Sequence, residues 1–373
     1  VHITRLRLEN LRTWGQLEWA PAAGINLLIG ENAQGKTNVL ESVYLLATSR
    51  SPRTSRDGDL IRSEAAEARV AAEVSREIGG ETLVEVQLFR GEPKVIRVNG
   101  SRCARIADGL GRLNAVYFGS GELSLVQGEP GERRRFLNLD ISQIRPRYAF
   151  DLAGYKRVLE QRNRMLKDIR DQRSGSSALF AWNEQLVQYG SALMERRREF
   201  LRGLGPLAAE VHRFLTDGSE ELEVRYAPCF ALRDSDSSEA LQDRFREELE
   251  RVAMEEMRRG TSCTGPQRDD ISLQVDGMDA RTFASQGQQR TAALSLKLAE
   301  FALMRELAEE PPVLLLDDVM SDLDPGRRER LMHWLCTNRC QSMLTGADAL
   351  AFPGDVRAGA AICRVRRGVM VTG

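Results

Sequence analysis

The segment Gly30–Thr37, GENAQGKT, restricts the fold of this chain more than any other. A glycine loop closing on Lys-Thr works when successive backbone N–H groups wrap a phosphate chain, which needs a strand before the loop and a helix after it. Both flanks comply. Gly24 introduces the apolar run Ile25–Ile29, and Val39, Leu40, Val43, Leu46 and Ala47 recur at helical spacing. The expected ATP-binding residues are Gly30, Glu31, Asn32, Ala33, Gln34, Gly35, Lys36, Thr37 and Asn38. Lys36 would reach the β- and γ-phosphates, and the Thr37 hydroxyl would ligate Mg2+.

Two further segments carry chemistry. Val313–Asp318, VLLLDD, is a continuous apolar run ending in two carboxylates. It reads as a parallel strand buried on both faces that delivers Asp317 beside the phosphate loop. Asp317 would hold Mg2+ through water, and Asp318 would orient or activate the attacking water. In Phe283–Phe301, FASQGQQRTAALSLKLAEF, Ser285 opens a helix with expected apolar positions at Ala292, Leu296, Ala299, Leu303 and Leu307. Ser285-x-x-Gln288 is a capping box, and the same helix end, with Gly287, is an anion site; both readings can hold at once. Downstream, SDLDPGRRERL over Ser321–Leu331 contains Asp324-Pro325, a good helix start.

Composition bounds the rest. A chain of 373 residues suits two or three subdomains rather than one core. No apolar run approaches the roughly 20 residues that span a bilayer, and VHITRLRLEN lacks the apolar stretch of a secretory signal. The six cysteines form no Cys-x-x-Cys pair, so a reducing cytoplasm is the expected location. Cys336 and Cys340 could share a helix face and are expected to be buried thiols.

The net charge of −1 does not announce a nucleic-acid binder, but its distribution is uneven. Residues 145–213 hold 14 Lys/Arg against 8 Asp/Glu, and residues 217–258 hold 6 against 13. Such neighbouring segments can mark one basic face, although solvated helices show the same pattern. The stretch from Ala68 to Phe118 is β-rich, with a hairpin signal at Asn99-Gly100, and predicts an antiparallel sheet. Helices are expected over Arg147–Asp171 and Leu179–Leu204, separated by a loop at Ser174–Ser177. After a polar break at Asp234–Ser238, a third carries Leu241, Phe245, Leu249 and Val252 on one stripe and ends at Gly260. The expected division is residues 1–144 and 261–373 as two parts of one head, with 145–260 inserted as a helical lobe too short for a long coiled-coil arm.

Taken together, these motifs resemble the ABC-type ATPase heads of the structural-maintenance and DNA-repair branch, most nearly the RecF family. Further segments carry the resemblance: ITRLRLENLR at the start, VYFGSGELSLVQGEPGERRRFLN over Val116–Asn138, and TGPQRDDI over Thr264–Ile271. The resemblance implies an α/β fold, an ABC-type P-loop head with an antiparallel β subdomain and an inserted helical lobe. It implies that Ser285, Gly287 and Gln288 meet the γ-phosphate held by a second copy of the chain. Ser321, Asp322 and Asp324 would lie in the loop crossing that dimer interface, and Thr345 would contact the γ-phosphate. The function implied is an ATP-dependent homodimer on duplex DNA near gaps or ss–ds junctions, a weak DNA-stimulated ATPase. With RecO and RecR it would help RecA loading in recombinational repair, replication restart and the SOS response, with ATP and Mg2+ as cofactors and no membrane.

The DNA side rests on arginines, chiefly Arg133, Arg134, Arg135, Arg196, Arg197 and Arg198, with Arg145, Arg147, Lys156 and Arg157 beside them. Few aromatics interleave with them, so phosphate contacts with duplex fit better than base stacking. Ser120, Asn138, Gln267 and Asp322 depart from the family's usual proline, aspartate, histidine and glutamate. A transporter nucleotide-binding subunit would lack the charge-split insertion and carry a histidine near Thr345. A chromosome-organising ATPase would have a longer arm, and an ATP-dependent nuclease an extra acidic cluster.

Overall fold

The computed structural model describes residues 1–373 except Ile78, Ser174, Ser176, Ala178, Asp234 and Gly373, together with the side chains of Asp322 and Thr372. The loop expected at Ser174–Ser177 and the first residue of the break at Asp234 thus fall partly or wholly outside the described residues.

The chain opens with strands His2–Leu11 (β1), Trp14–Trp19 (β2) and Ile25–Ile29 (β3), then helix Lys36–Thr48 (α1). Strands Glu67–Arg76 (β4), Gly80–Phe89 (β5), Val95–Val98 (β6), Ser101–Arg102 (β7) and Ala115–Phe118 (β8) follow. Next come helices Ser124–Gln127 (α2), Pro130–Ile144 (α3), Pro146–Arg170 (α4) and Leu179–Leu215 (α5), strand Leu222–Ala227 (β9) and helix Ser238–Arg259 (α6). The rest comprises Asp270–Val275 (β10), Met278–Asp279 (β11), Ala280–Phe283 (α7), Gln286–Ala308 (α8), Val313–Leu316 (β12), Val319–Asp322 (α9) and Pro325–Asn338 (α10). Ser342–Gly346 (β13), Gly354–Gly359 (α11), Ala361–Arg366 (β14) and Val369–Thr372 (β15) close it.

Three sheets result. The first is antiparallel, in the order β2-β1-β4-β5-β6-β7. Its last hairpin turns at Asn99 and Gly100, both in the left-handed region that a two-residue turn requires (φ 50° and 77°). The central sheet runs β15-β14-β3-β13-β12-β8 and is parallel apart from β15. Ala115–Phe118 therefore leaves the antiparallel sheet expected over Ala68–Phe118 and pairs with β12. Its four residues are all apolar and buried, which suits a strand covered on both faces. The third sheet, β11-β10-β9, ties a strand between α5 and α6 to one beyond Gly260.

The central sheet separates two hydrophobic cores. Along β12, Val313 and Leu315 join the core shared with α1 and the antiparallel sheet, while Leu314 and Leu316 join the core shared with the helices. Alternation along a strand sends successive side chains to opposite faces, so a run that is apolar throughout records burial on both.

The helices differ from expectation in three places. α5 does not stop at Leu204 but continues through Pro206 to Leu215. Beyond the proline it buries Ala208, Val211 and Leu215, and this burial offsets the hydrogen bond that Pro206 cannot donate. Leu307, assigned to the apolar face of α8, is 45% exposed in its last turn. Of the two thiols expected to be buried together, Cys336 is exposed and Cys340, beyond the end of α10, is buried. The stripe Leu241, Phe245, Leu249 and Val252 is buried as expected. Among the described residues no helix is long and apolar enough to cross a membrane.

Candidate nucleotide site

The loop after β3 is fixed by contacts with both ends of the chain. Gly35 caps α1 with φ 108°, a conformation that L side chains rarely adopt. A Cβ there would lie 2.7 Å from Thr13 Oγ1, and Trp14 Nε1 donates to the Gly35 carbonyl at 3.0 Å. A Cβ on Gly30 would sit 2.2 Å from the Val365 carbonyl oxygen. The turn between β14 and β15 completes the brace: the Arg367 N–H donates to Gln34 Oε1 at 2.6 Å and the Gly368 N–H to the Gln34 carbonyl at 3.1 Å. Asn38 Nδ2 donates to Thr13 Oγ1 at 2.9 Å and Asn38 Oδ1 accepts from Arg53 at 3.2 Å. Glu31, Asn32 and Ala33 stay exposed at the crest. The buried Lys36 ammonium donates to the carbonyls of Gly30 and of Glu31, the latter at 2.7 Å. Burial lowers its pKa, opposed by the charges of Asp318 and Asp317.

The end of β12 meets this loop. Thr37 Oγ1 donates to Asp317 Oδ1 at 2.9 Å, Thr345 Oγ1 to the same oxygen at 2.7 Å, and the Tyr117 hydroxyl to Oδ2 at 3.1 Å. Three hydroxyls from β8, α1 and β13 thus aim one carboxylate. Burial, then the Asp317 charge, pushes the Tyr117 pKa far above its ordinary value, so its proton stays available to Asp317. Asp318 is exposed and turns the chain with φ 53°; its N–H donates to Thr345 Oγ1 at 2.9 Å. Thr345 is 1% exposed, and its proton is committed to Asp317. In this position it holds Asp317 and Asp318 in register.

Thr37 Oγ1 and Asp317 Oδ1 are 2.9 Å apart. A hydroxyl with a carboxylate is the hard-oxygen set that Mg2+ prefers, and the pair fits an ion that Thr37 would ligate directly and Asp317 would hold through water. Among the described residues no group of three or more His, Cys, Asp or Glu could hold a metal alone. An ion here needs phosphate oxygens to complete its shell.

Ser285 and Gly287 are exposed at the N-terminus of α8. Ser285 Oγ accepts from the Gln288 N–H at 3.3 Å and Gln288 Oε1 from the Ser285 N–H at 2.9 Å, the capping box expected. Gln288 is thereby engaged within its own helix. Asp324 caps α10, accepting from the Arg327 N–H at 3.0 Å, which first and then the Arg327 charge lowers its pKa. Ser321 Oγ donates to the Asp318 carbonyl at 2.8 Å. The Asp322 side chain lies outside the described residues.

The arginines require the largest correction. Arg133 is buried and donates Nε and Nη2 to the two oxygens of Asp270 at 2.7 and 2.8 Å. Arg197, 2% exposed, donates to Asp269 at 2.9 Å, to the Tyr148 hydroxyl at 3.0 Å and to Asn138 Oδ1 at 3.1 Å. Neither offers a donor to DNA. Arg134 donates to the Asp269 carbonyl, Arg135 to that of Ser51, and Arg198 to those of Arg233 and Asp236, each at 2.8 Å. Arg196 remains 43% exposed, paired with Glu199 at 2.8 Å. One pair joins the basic segment 145–213 to the acidic segment 217–258 in the interior, Arg162–Glu256, while Arg145, Arg147, Arg164 and Arg196 pair with acids of their own segment at the surface.

Two features escaped sequence reading. Tyr117 looked like one more apolar strand residue; its place at the end of β8, level with Asp317, is set only by strand pairing. TGPQRDDI, quoted above only for its resemblance, carries a latch: Asp269 also accepts from the Tyr226 hydroxyl and the Cys229 N–H, while Gln267 Oε1 accepts from the Tyr155 hydroxyl. Asn138 and Gln267, two of the departures from the family pattern, both sit in this network.

The family model for the RecF/RecN/SMC N terminal domain matches residues 2–352. The chain is 38% identical to the DNA replication and repair protein RecF of Halalkalibacterium halodurans, over 99% of this chain and 98% of the relative. It is 40% identical to the protein of that name from Symbiobacterium thermophilum, over 100% and 98%. A solved structure of the recombination mediator protein RecF with ATP superposes with a TM-score of 0.91 at 30% identity, covering 100% of this chain and 97% of that one. An Smc head domain from Pyrococcus furiosus shares the fold, with a TM-score of 0.56 at 15% identity. On the strength of these matches and of the head they share, the chain belongs to the RecF family of DNA replication and repair proteins.

Proposed function

We propose that this chain is an ATP-driven DNA clamp of recombinational repair and replication restart, in which nucleotide joins two copies of the chain on duplex DNA near a gap or junction. The observation that carries this reading is the half-site. Lys36, Thr37 and Asp317 converge from one side, while Ser285 and Gly287, an anion-ready helix end, stand exposed at the start of α8. An N–H-rich helix end open to solvent fits a phosphate brought by a second copy.

In this mechanism the backbone of Gly30–Thr37 orients the phosphates, and Lys36 exchanges its two carbonyl partners for phosphate oxygens. Mg2+, held by Thr37, Asp317 and the nucleotide, supplies neutralising charge. Tyr117 and Thr345 fix the Asp317 carboxylate, and exposed Asp318 receives the proton of the attacking water. Hydrolysis then serves as a switch that separates the copies, and we assign Ser321 and Asp324 to the loop between them. On the DNA side Arg196, Arg147, Lys156 and Arg157 are the best candidates, because they keep exposed or half-exposed cations. RecR, with RecO and indirectly RecA, are the partners consistent with the family.

The test is ATP-dependent dimerisation by light scattering, with and without gapped duplex. Lys36→Ala should lose both nucleotide binding and dimerisation. Ser285→Arg should bind ATP within about twofold of the parent yet fail to dimerise, since its substitution lies outside the nucleotide's own half. A Ser285→Arg protein that dimerises normally overturns the shared-site reading.

A further inference from the structure

Arg327, in the first turn of α10, reaches across to the start of α8. A Cβ built on the exposed Gly287 would lie 3.7 Å from Arg327 Nη1 and 4.0 Å from Ser285 Oγ. Apart from its chain neighbours and the backbone of its own helix, no other atom comes within 4 Å of that point. A guanidinium and a hydroxyl thus flank one face of a solvent-facing glycine.

Two acids set the plane of the guanidinium. Nη2 donates to Glu220 Oε1 at 3.0 Å, and Nε lies 3.4 Å from Asp324 Oδ2. Glu220 is itself anchored inward, 3.3 Å from the buried His212. Asp324 uses its other oxygen on the Arg327 N–H at 3.0 Å. With those two edges committed, Nη1 is the edge turned to Gly287, and it makes no hydrogen bond among the described residues. The side chain stays 19% exposed, so the clamp does not bury it.

The groups at this face are donors. Nη1 carries N–H groups and accepts nothing. Ser285 Oγ accepts from the Gln288 N–H and gives its own proton to no described residue. The Gly287 N–H lies in the first turn of α8, where the backbone donors have no partner within the helix. The complement is an acceptor-rich anion, and a planar guanidinium edge suits phosphate oxygens. The other cation placed close by in sequence, Arg281, is held by Glu129 at 2.5 Å.

We infer that Arg327 is a phosphate contact supplied in trans: Nη1, beside Ser285 Oγ, meets the terminal phosphate of the nucleotide held by Lys36 and Thr37 of a second copy. This rests on the shared-site reading and adds a cation to it. The clamp also joins that phosphate to Asp324, so the interface loop and the nucleotide are linked through one side chain.

The experiment follows dimerisation with ATP and Mg2+ by light scattering. Arg327→Ala should bind ATP within about twofold of the parent and dimerise at least about tenfold more weakly, the loss of one charge-assisted contact. Arg327→Gln, which keeps a donor for Glu220, should show the same loss. Mixed pairs, read by energy transfer between labelled copies, separate a contact across the interface from a structural role. Lys36→Ala brings no nucleotide but an intact Arg327, so it should join Arg327→Ala as tightly as it joins the parent. The double variant Lys36→Ala/Arg327→Ala should join the parent at least about tenfold more weakly than Lys36→Ala does. Weakening of the first pair, or none in the second, overturns the inference, as does a parent that dimerises no better than Arg327→Ala. A parent that stays monomeric with ATP overturns the shared-site reading itself, and this inference with it.

Discussion

The nucleotide loop and the arginine-rich helices are both conspicuous in the sequence, yet folding treats them in opposite ways. Around Gly30–Thr37 the chain takes the strand, loop and helix its spacing implied, and Thr37 meets Asp317 across 280 residues of chain. In α3 and α5 the arginines that looked like a DNA surface turn inward, Arg133 to Asp270 and Arg197 to Asp269. The difference is one of range. A phosphate loop is specified by the dihedral angles and donors of eight consecutive residues, whereas an arginine's destination depends on which face of its helix finds an acid once the lobe has packed.

The sharpest way to break this comparison is Arg197→Ala against Arg196→Ala, adjacent positions with opposite fates. Arg197→Ala strands Asp269 in the interior and should cost about 3–5 kcal/mol in urea unfolding. If it unfolds like the parent, the inward assignment is wrong. A second lever is His212, buried between Ser295 and Glu220. Burial first, then Arg327, lowers its pKa to about 4. A depressed folded-state value means stability present above pH 6.5 and lost as the pH falls through 4. The parent should therefore lose about 3 kcal/mol more than His212→Gln over that window; parallel pH curves would remove the histidine from the acid response.

At the nucleotide end, Tyr117→Phe keeps the ring and removes one hydrogen bond to Asp317. A change of about 1 kcal/mol, roughly fivefold in turnover, is expected with ATP affinity unchanged. The smallest effect belongs to Arg196→Ala. Its stability should stay within about 0.5 kcal/mol of the parent, while duplex affinity drops and the salt slope falls by about one. No change in the slope would take Arg196 off the DNA face.

What could be read from the sequence follows the same division. The strand–loop–helix at Gly30–Thr37, the buried run at Val313–Leu316, the cap at Ser285 and the stripe on α6 are local patterns, and each appears where its period or turn chemistry put it. Three things were hidden. The move of Ala115–Phe118 into the parallel sheet depends on a strand nearly 200 residues away, and four apolar residues cannot declare their partner. Pro206 did not stop α5, because burial beyond it outweighed a propensity that is only a weak prior. Thr345 ties Asp317 to the Asp318 N–H through one hydroxyl, a fact of geometry that no motif encodes.

The position of β3 between β13 and β14 has a consequence in time. A ribosome emits the phosphate loop long before both hydrogen-bonded neighbours of its strand and the turn that grips Gln34, which come from residues 342–368. A nascent chain therefore carries the loop's letters for most of its synthesis without the walls that shape it, and such long-range pairing is slow to form. A chain released before residue 342 keeps GENAQGKT and loses the strands and the turn that shape the site.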